Sequence, residues 1–165
     1  GYIEIRMKHN STAKEQSLHP TPITRADVAS INNEQSEAEL DERITMALNA
    51  AAEKKAIDIV VLDLREIASF TDYFVVTSGA NERQVQAISD EVFETLKKAG
   101  TPAARVEGYK TAEWILLDFG DFIFHIFDEK ARRFYDLERL WRESKRVELP
   151  GELASQASSS LRSES

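Results

Sequence analysis

Glu113-Trp114-Ile115-Leu116-Leu117-Asp118-Phe119-Gly120-Asp121-Phe122-Ile123-Phe124-His125-Ile126-Phe127-Asp128 decides how this chain folds. Two apolar runs flank Gly120-Asp121. Glycine tolerates the positive φ that a two-residue hairpin turn of type II′ needs at its first central position. Pairing Phe119 with Phe122 then sets the register: Leu117 faces Phe124 and Ile115 faces Ile126. Alternate residues of a strand point the same way, so one face of the hairpin is wholly apolar. The other carries Trp114, Leu116, Asp118, Ile123, His125 and Phe127. That face is too apolar for bare solvent and too polar for an ordinary core, and reads as a partner surface.

The elements on either side follow from periodicity. Downstream, Asp128 begins a helical stretch through about Glu143, with Phe134, Leu137 and Trp141 on one side. Upstream, Ser36-x-x-Glu39 is a capping box. Leu40, Ile44, Ala47, Leu48 and Ala51 recur at helical spacing to about Lys54. Ile59–Leu64 reads as a central β-branched strand, and Asp72–Thr77 as a second. Ser78-Gly79-Ala80 turns the chain. Asn81-x-x-Gln84 starts a helix striped by Val85, Ile88, Val92 and Leu96, which Gly100 and Pro102 stop. A short strand over 105–107 precedes the hairpin. Strands and helices intermingle, so the fold class is α/β, a mixed sheet with flanking helices. Residues 1–35 are polar, hold Pro20 and Pro22, and read as disordered or weakly structured. Residues 36–149 form the one domain, and the Ser-rich stretch 150–165 reads as a disordered tail.

Composition narrows the function classes. The 165 residues contain no cysteine, which excludes disulfides and thiolate chemistry. No apolar run approaches the ~20 residues that span a bilayer, so no membrane partner is expected. The amino terminus lacks a secretory signature, which makes the cytoplasm the default location. The formal charge is −8, and residues 37–150 hold 16 basic against 23 acidic side chains. Long-range repulsion then disfavours nucleic acid, and little direct contact with it is expected. A ribonucleoprotein target would be met through a basic protein component.

Chemistry is sparse. Ser78-Gly79-Ala80-Asn81 could aim backbone N–H groups at a phosphate, the basis of an alternative reading as a nucleotide-binding enzyme, or a nucleotidyltransferase-like one through the family resemblance given below. The loop has one glycine and no lysine, unlike a P-loop. The paired carboxylates that hold catalytic metal ions are missing, and Asp63 and Asp72 lie on different segments. His125 has no cysteine or second histidine nearby for a metal site. No catalytic residue, metal or cofactor is therefore expected. His125 stands opposite Leu116 and beside Trp114 and Asp118, either as a half-buried structural histidine or as a contact. Trp141 falls on a helical stripe and reads as core. Trp114 lies on the mixed face, and its pattern alone leaves core and interface open.

Several segments together resemble the Iojap or RsfS family of ribosomal silencing factors. They are Ala56–Leu64, Thr71–Gly79, Arg83–Ile88, Glu107-Gly108 and the hairpin through Trp141, within a span from about Leu40 to Trp141. The resemblance implies a nucleotidyltransferase-like fold without the catalytic carboxylates. It implies a non-enzymatic repressor that binds the large ribosomal subunit through that subunit's ribosomal protein fourteen and keeps the small subunit from joining. Members act when nutrients are scarce or during large-subunit maturation in organelles, and can pair as homodimers when free. The partner-binding residues it favours are Trp114, Leu116, Asp118, His125 and Asp128, with Tyr109 and Glu129 behind them. A basic–aromatic segment adds Arg132 and Tyr135. Asp118, Asp128 and Glu129 would meet cations on the partner.

Overall fold

The computed structural model describes residues 40–151 and 153. The expectations for residues 1–35, the 36–39 capping box and most of the 150–165 tail lie outside them. Helix α1 (Glu42–Glu53) is followed by β1 (Ile57–Asp63), β2 (Tyr73–Gly79), α2 (Glu82–Lys98), β3 (Arg105–Glu107), β4 (Trp114–Asp118) and β5 (Phe122–Asp128). Two short helices, α3 (Glu129–Tyr135) and α4 (Leu137–Leu140), lead to a last strand, β6 (Lys145–Val147). Among the described residues six strands form one sheet in the order β3-β4-β5-β2-β1-β6, with only the β5–β2 pair parallel. This is the mixed α/β class expected.

The hairpin has the register its residues demanded. Leu117 pairs with Phe124, Ile115 with Ile126 and Leu116 with His125. Gly120 takes φ +87°, and the Phe119 amide donates to the Phe122 carbonyl at 2.9 Å. The tip is tied into the sheet: the Asp72 amide and the Thr71 hydroxyl donate to the Asp121 and Gly120 carbonyls. Arg43 of α1 reaches the Asp121 carboxylate at 2.6 Å.

One face of the sheet is aliphatic and aromatic hydrocarbon. Ile59, Val61, Val75, Ile115, Leu117, Phe122, Phe124 and Ile126 pack there against Ile44, Leu48 and Ala51 of α1 and Val85, Ile88, Val92 and Leu96 of α2. Asn81 caps α2 as its spacing predicts, its side chain accepting from the Gln84 amide at 2.9 Å. Leu153 also belongs to this core, which therefore continues past the boundary expected at 149. Two leucines eight positions apart in a Ser-rich stretch make no stripe, so periodicity could not reveal it.

Two further departures have local causes. The α1 N-cap is Asp41, whose carboxylate accepts from the Arg43 amide at 2.8 Å. The single helix expected from Asp128 to Glu143 is broken at Asp136, which adopts the left-handed conformation at φ +48°. The break resets the helical phase. Leu137 and Trp141 stay buried, while Phe134, placed on the same stripe by sequence, is 79% exposed.

Candidate functional site

The mixed face of the hairpin is covered from within the chain, which corrects its reading as an open surface. Trp114 is 7% exposed, Leu116 3% and His125 fully buried. They cluster with Phe74, Val76, Ile123 and Phe127 of the sheet, Leu64 and Ala68 of the β1–β2 connection, and Ala131, Leu137 and Trp141 of the α3–α4 limb. The hairpin's own residues state what faces that side but not what folds over it.

This second core is aromatic and carries polar handles. The Trp114 indole N–H donates to His125 Nδ1 at 3.0 Å. Its ring stacks on Phe127 with centroids 4.8 Å apart and leans on Tyr135 at 4.7 Å. His125 meets Phe74 at 4.5 Å in a perpendicular arrangement, and Trp141 meets Phe74 at 5.6 Å likewise. Burial lowers the His125 pKa to about 3, so the ring is neutral, with its proton on Nε2 because Nδ1 is an acceptor. Neither His125 Nε2 nor Trp141 Nε1 has a hydrogen-bond partner.

The remaining candidates are scattered along the limb and hairpin. Asp118 sits at the far end of β4 from Trp114, accepting from Arg105 at 3.3 Å and from the Gly120 amide at 2.9 Å. Asp128 caps α3 through the Ala131 amide at 2.6 Å, and Glu129 follows in the first turn. Tyr109 is 39% exposed; its hydroxyl donates to Asp90 at 3.3 Å. Its loop depends on Gly108, at φ +81°, where an added Cβ would lie 2.0 Å from the Trp114 carbonyl oxygen. Arg132 faces inward instead of outward. Its Nε donates to Glu138 at 2.9 Å, and its Nη1 to the Ser78 hydroxyl at 2.9 Å and the Ile57 carbonyl at 3.4 Å. It is a strut between the limb and the β1–β2 strands. The structure thus gathers Trp114, His125 and Tyr135, and separates them from Asp118 and Arg132.

The turn that motivated the enzyme reading has its groups engaged. The Ala80 amide donates to Gln84 Oε1 at 2.6 Å, the Gln84 amide is held by Asn81, and Ser78 accepts from Arg132. Asp63 is bound by Arg65 at 2.8 Å. Burial pushes the Asp63 carboxyl up, but the Arg65 hydrogen bonds outweigh it and hold it below the usual range. Among the described residues no group of three or more His, Asp or Glu side chains could hold a metal ion. Sequence reasoning missed Phe134 and Leu140, 79% and 45% exposed on the α3–α4 limb. Only a signal for the Asp136 break, such as a residue tolerant of the left-handed region, could have found them.

The fold and site define an α/β protein whose mixed six-stranded sheet lies between a helical pair and a short aromatic limb. The chain belongs to the family described as "Ribosomal silencing factor during starvation", whose model matches residues 37–165. It is 39% identical over 110 residues to the ribosomal silencing factor RsfS of Halalkalibacterium halodurans, covering 67% of this chain and 94% of that protein. It is 30% identical over 147 residues to the chloroplastic protein Iojap of Zea mays, covering 89% of this chain and 60% of that one. A crystal structure of a protein from Chromobacterium violaceum superposes with a TM-score of 0.61 at 33% identity, covering 68% and 91% of the two chains.

Proposed function

We propose that this protein represses translation by docking on the large ribosomal subunit, through its ribosomal protein fourteen, and sterically blocking the small subunit. Family membership over residues 37–165 is the observation that carries this reading. The charge supports it: an acidic chain of net −8 suits a basic ribosomal protein. The docking surface is the rim of the aromatic core. Tyr109, Glu113 and Glu129 supply accessible polar groups towards the Trp114 end of β4, and Asp118 supplies a carboxylate at its far end. Buried Leu116 and His125 and half-buried Asp128 hold that rim in place. Carboxylates at an interface rim steer encounter and set orientation, while the aromatic edges exclude water. The action makes and breaks no covalent bond, and its place is the cytoplasm.

Sucrose-gradient sedimentation of purified subunits tests it. The protein is expected to travel with isolated large subunits and to lower the yield of joined ribosomes. Glu113→Lys with Glu129→Lys is expected to weaken binding by roughly tenfold, mainly through slower association. Unchanged joining at saturating protein would remove the reading.

A further inference from the structure

The charge of this molecule is polarised. Residues 40–128 hold 9 basic against 16 acidic side chains, whereas residues 129–146 hold 7 basic against 4 acidic. The cationic stretch is the α3–α4 limb and the strand after it. On that limb lies a surface concavity of about 810 Å³, with Arg133, Phe134, Arg139, Leu140, Trp141 and Arg142 in its lining. Arg43, Arg65, Arg105, Arg132 and Arg146 are each held by a carboxylate. The Arg133, Arg139 and Arg142 guanidinium groups have no ion pair or side-chain hydrogen bond among the described residues. Beside them Phe134 stands 79% exposed, its ring supported edge-on by Tyr135 at 5.1 Å.

We propose that this concave face of the limb is a contact site for single-stranded or looped RNA, gripped by arginine–phosphate pairing and by stacking on Phe134. Three free guanidinium forks offer the planar, paired donors that match phosphate oxygens. An exposed aromatic ring next to them is the second half of a single-strand platform, because every base has a π-face to stack. Asp136 and Glu143 also line the concavity. They keep the site weak and salt-sensitive, and direct phosphates to the arginine sides. The choice of RNA over an acidic protein rests on the ribosomal reading, because a large ribosomal subunit is itself rich in folded and looped RNA. The overall negative charge still opposes nonspecific coating of nucleic acid, so the contact is local to the limb.

Fluorescence anisotropy with a short labelled single-stranded RNA of mixed sequence tests the site on the full chain. A glutamate-rich peptide of matched charge runs in parallel, as does isolated ribosomal protein fourteen. Replacing Arg133, Arg139 and Arg142 together by Gln is expected to weaken RNA binding at least about tenfold and to lower its salt slope by about two. Phe134→Ala is expected to weaken it by about tenfold with less change in slope. Both variants should bind ribosomal protein fourteen as the parent does. Arg139→Gln alone repeats the measurement if the triple variant melts early. No RNA binding by the parent, equal binding by the arginine variants, or tighter binding of the acidic peptide would each overturn the RNA assignment. Failure of docking is read separately, as loss of ribosomal protein fourteen binding by the parent.

Discussion

The two faces of the sheet bury comparable chains in different ways. Under α1 and α2 lie Leu48, Val75, Ile88, Leu117 and Ile126, side chains with no polar atoms to satisfy. Under α3 and α4 lie Trp114, His125, Phe74 and Trp141, where one hydrogen bond is made and two N–H groups go without a partner. Two helices of 12 and 17 residues close the first face, and helices of 7 and 4 residues close the second. An unpartnered buried donor costs free energy that a hydrocarbon core avoids. The comparison teaches that long helices over hydrocarbon close the first face, while the second closes polar aromatics under a shorter limb with fewer of their polar atoms satisfied.

The largest effect expected tests whether the aromatic face is core at all. Trp114→Ala should cost about 3–5 kcal/mol of stability, as much as Leu48→Ala on the opposite face. It removes the stack on Phe127 and leaves His125 Nδ1 without its donor. Were the mixed face an open surface, Trp114→Ala would instead leave the domain folded. Thermal melting by circular dichroism separates the two, and a variant that melts like the parent would return this face to the surface.

A smaller loss belongs to the aliphatic face. Ending the chain at Pro150 removes buried Leu153 and should lower stability by about 2 kcal/mol, read from urea unfolding. An unchanged midpoint would show that α1 and α2 close their face without it.

Mild acid, above the range in which carboxylates titrate, should act chiefly on the His125 face. The His125 pKa is about 3 in the folded chain, against a usual 6.5. Between these values the unfolded chain binds the proton and the folded chain does not. The stabilisation is complete above about pH 6.5 and is lost as pH falls towards 3, by about 1.4 kcal/mol per pH unit. Urea unfolding at pH 6.5 and 5.5 should show that slope in the parent and a flatter one in His125→Phe. Equal slopes would mean that solvent reaches His125 and that the second core is looser than its geometry.

Much of the fold was legible because its signals are local. Gly120 between apolar runs set a hairpin whose pairing of Leu117 with Phe124 needed no other part of the chain. The Asn81 cap and the Val85–Leu96 stripe likewise lie within one helix. The candidate site was legible only in composition. Trp114, His125 and Tyr135 do stand together, but as a buried cluster with a narrow accessible edge. Arg132, read as a contact, turned inward to Ser78, 54 positions earlier in the chain. Strand β6, with exposed Lys145 and Arg146 in three residues, had no alternation long enough to read.

Sequence by itself determined the α/β class, the hairpin register, the acidic balance and the family resemblance. Each depends on neighbours in the chain, on summed composition or on the order of motifs. Tertiary structure alone decided that the mixed face is covered. Coverage of the mixed face depends on where α3 and α4 turn, and that turn depends on one residue, Asp136, in the left-handed region. It decided as well which cations of the basic 129–146 stretch are paired: Arg132 and Arg146 meet Glu138, whereas Arg133, Arg139 and Arg142 meet no carboxylate among the described residues. The sequence shows where charges fall along the chain, but pairing acts through distance in space.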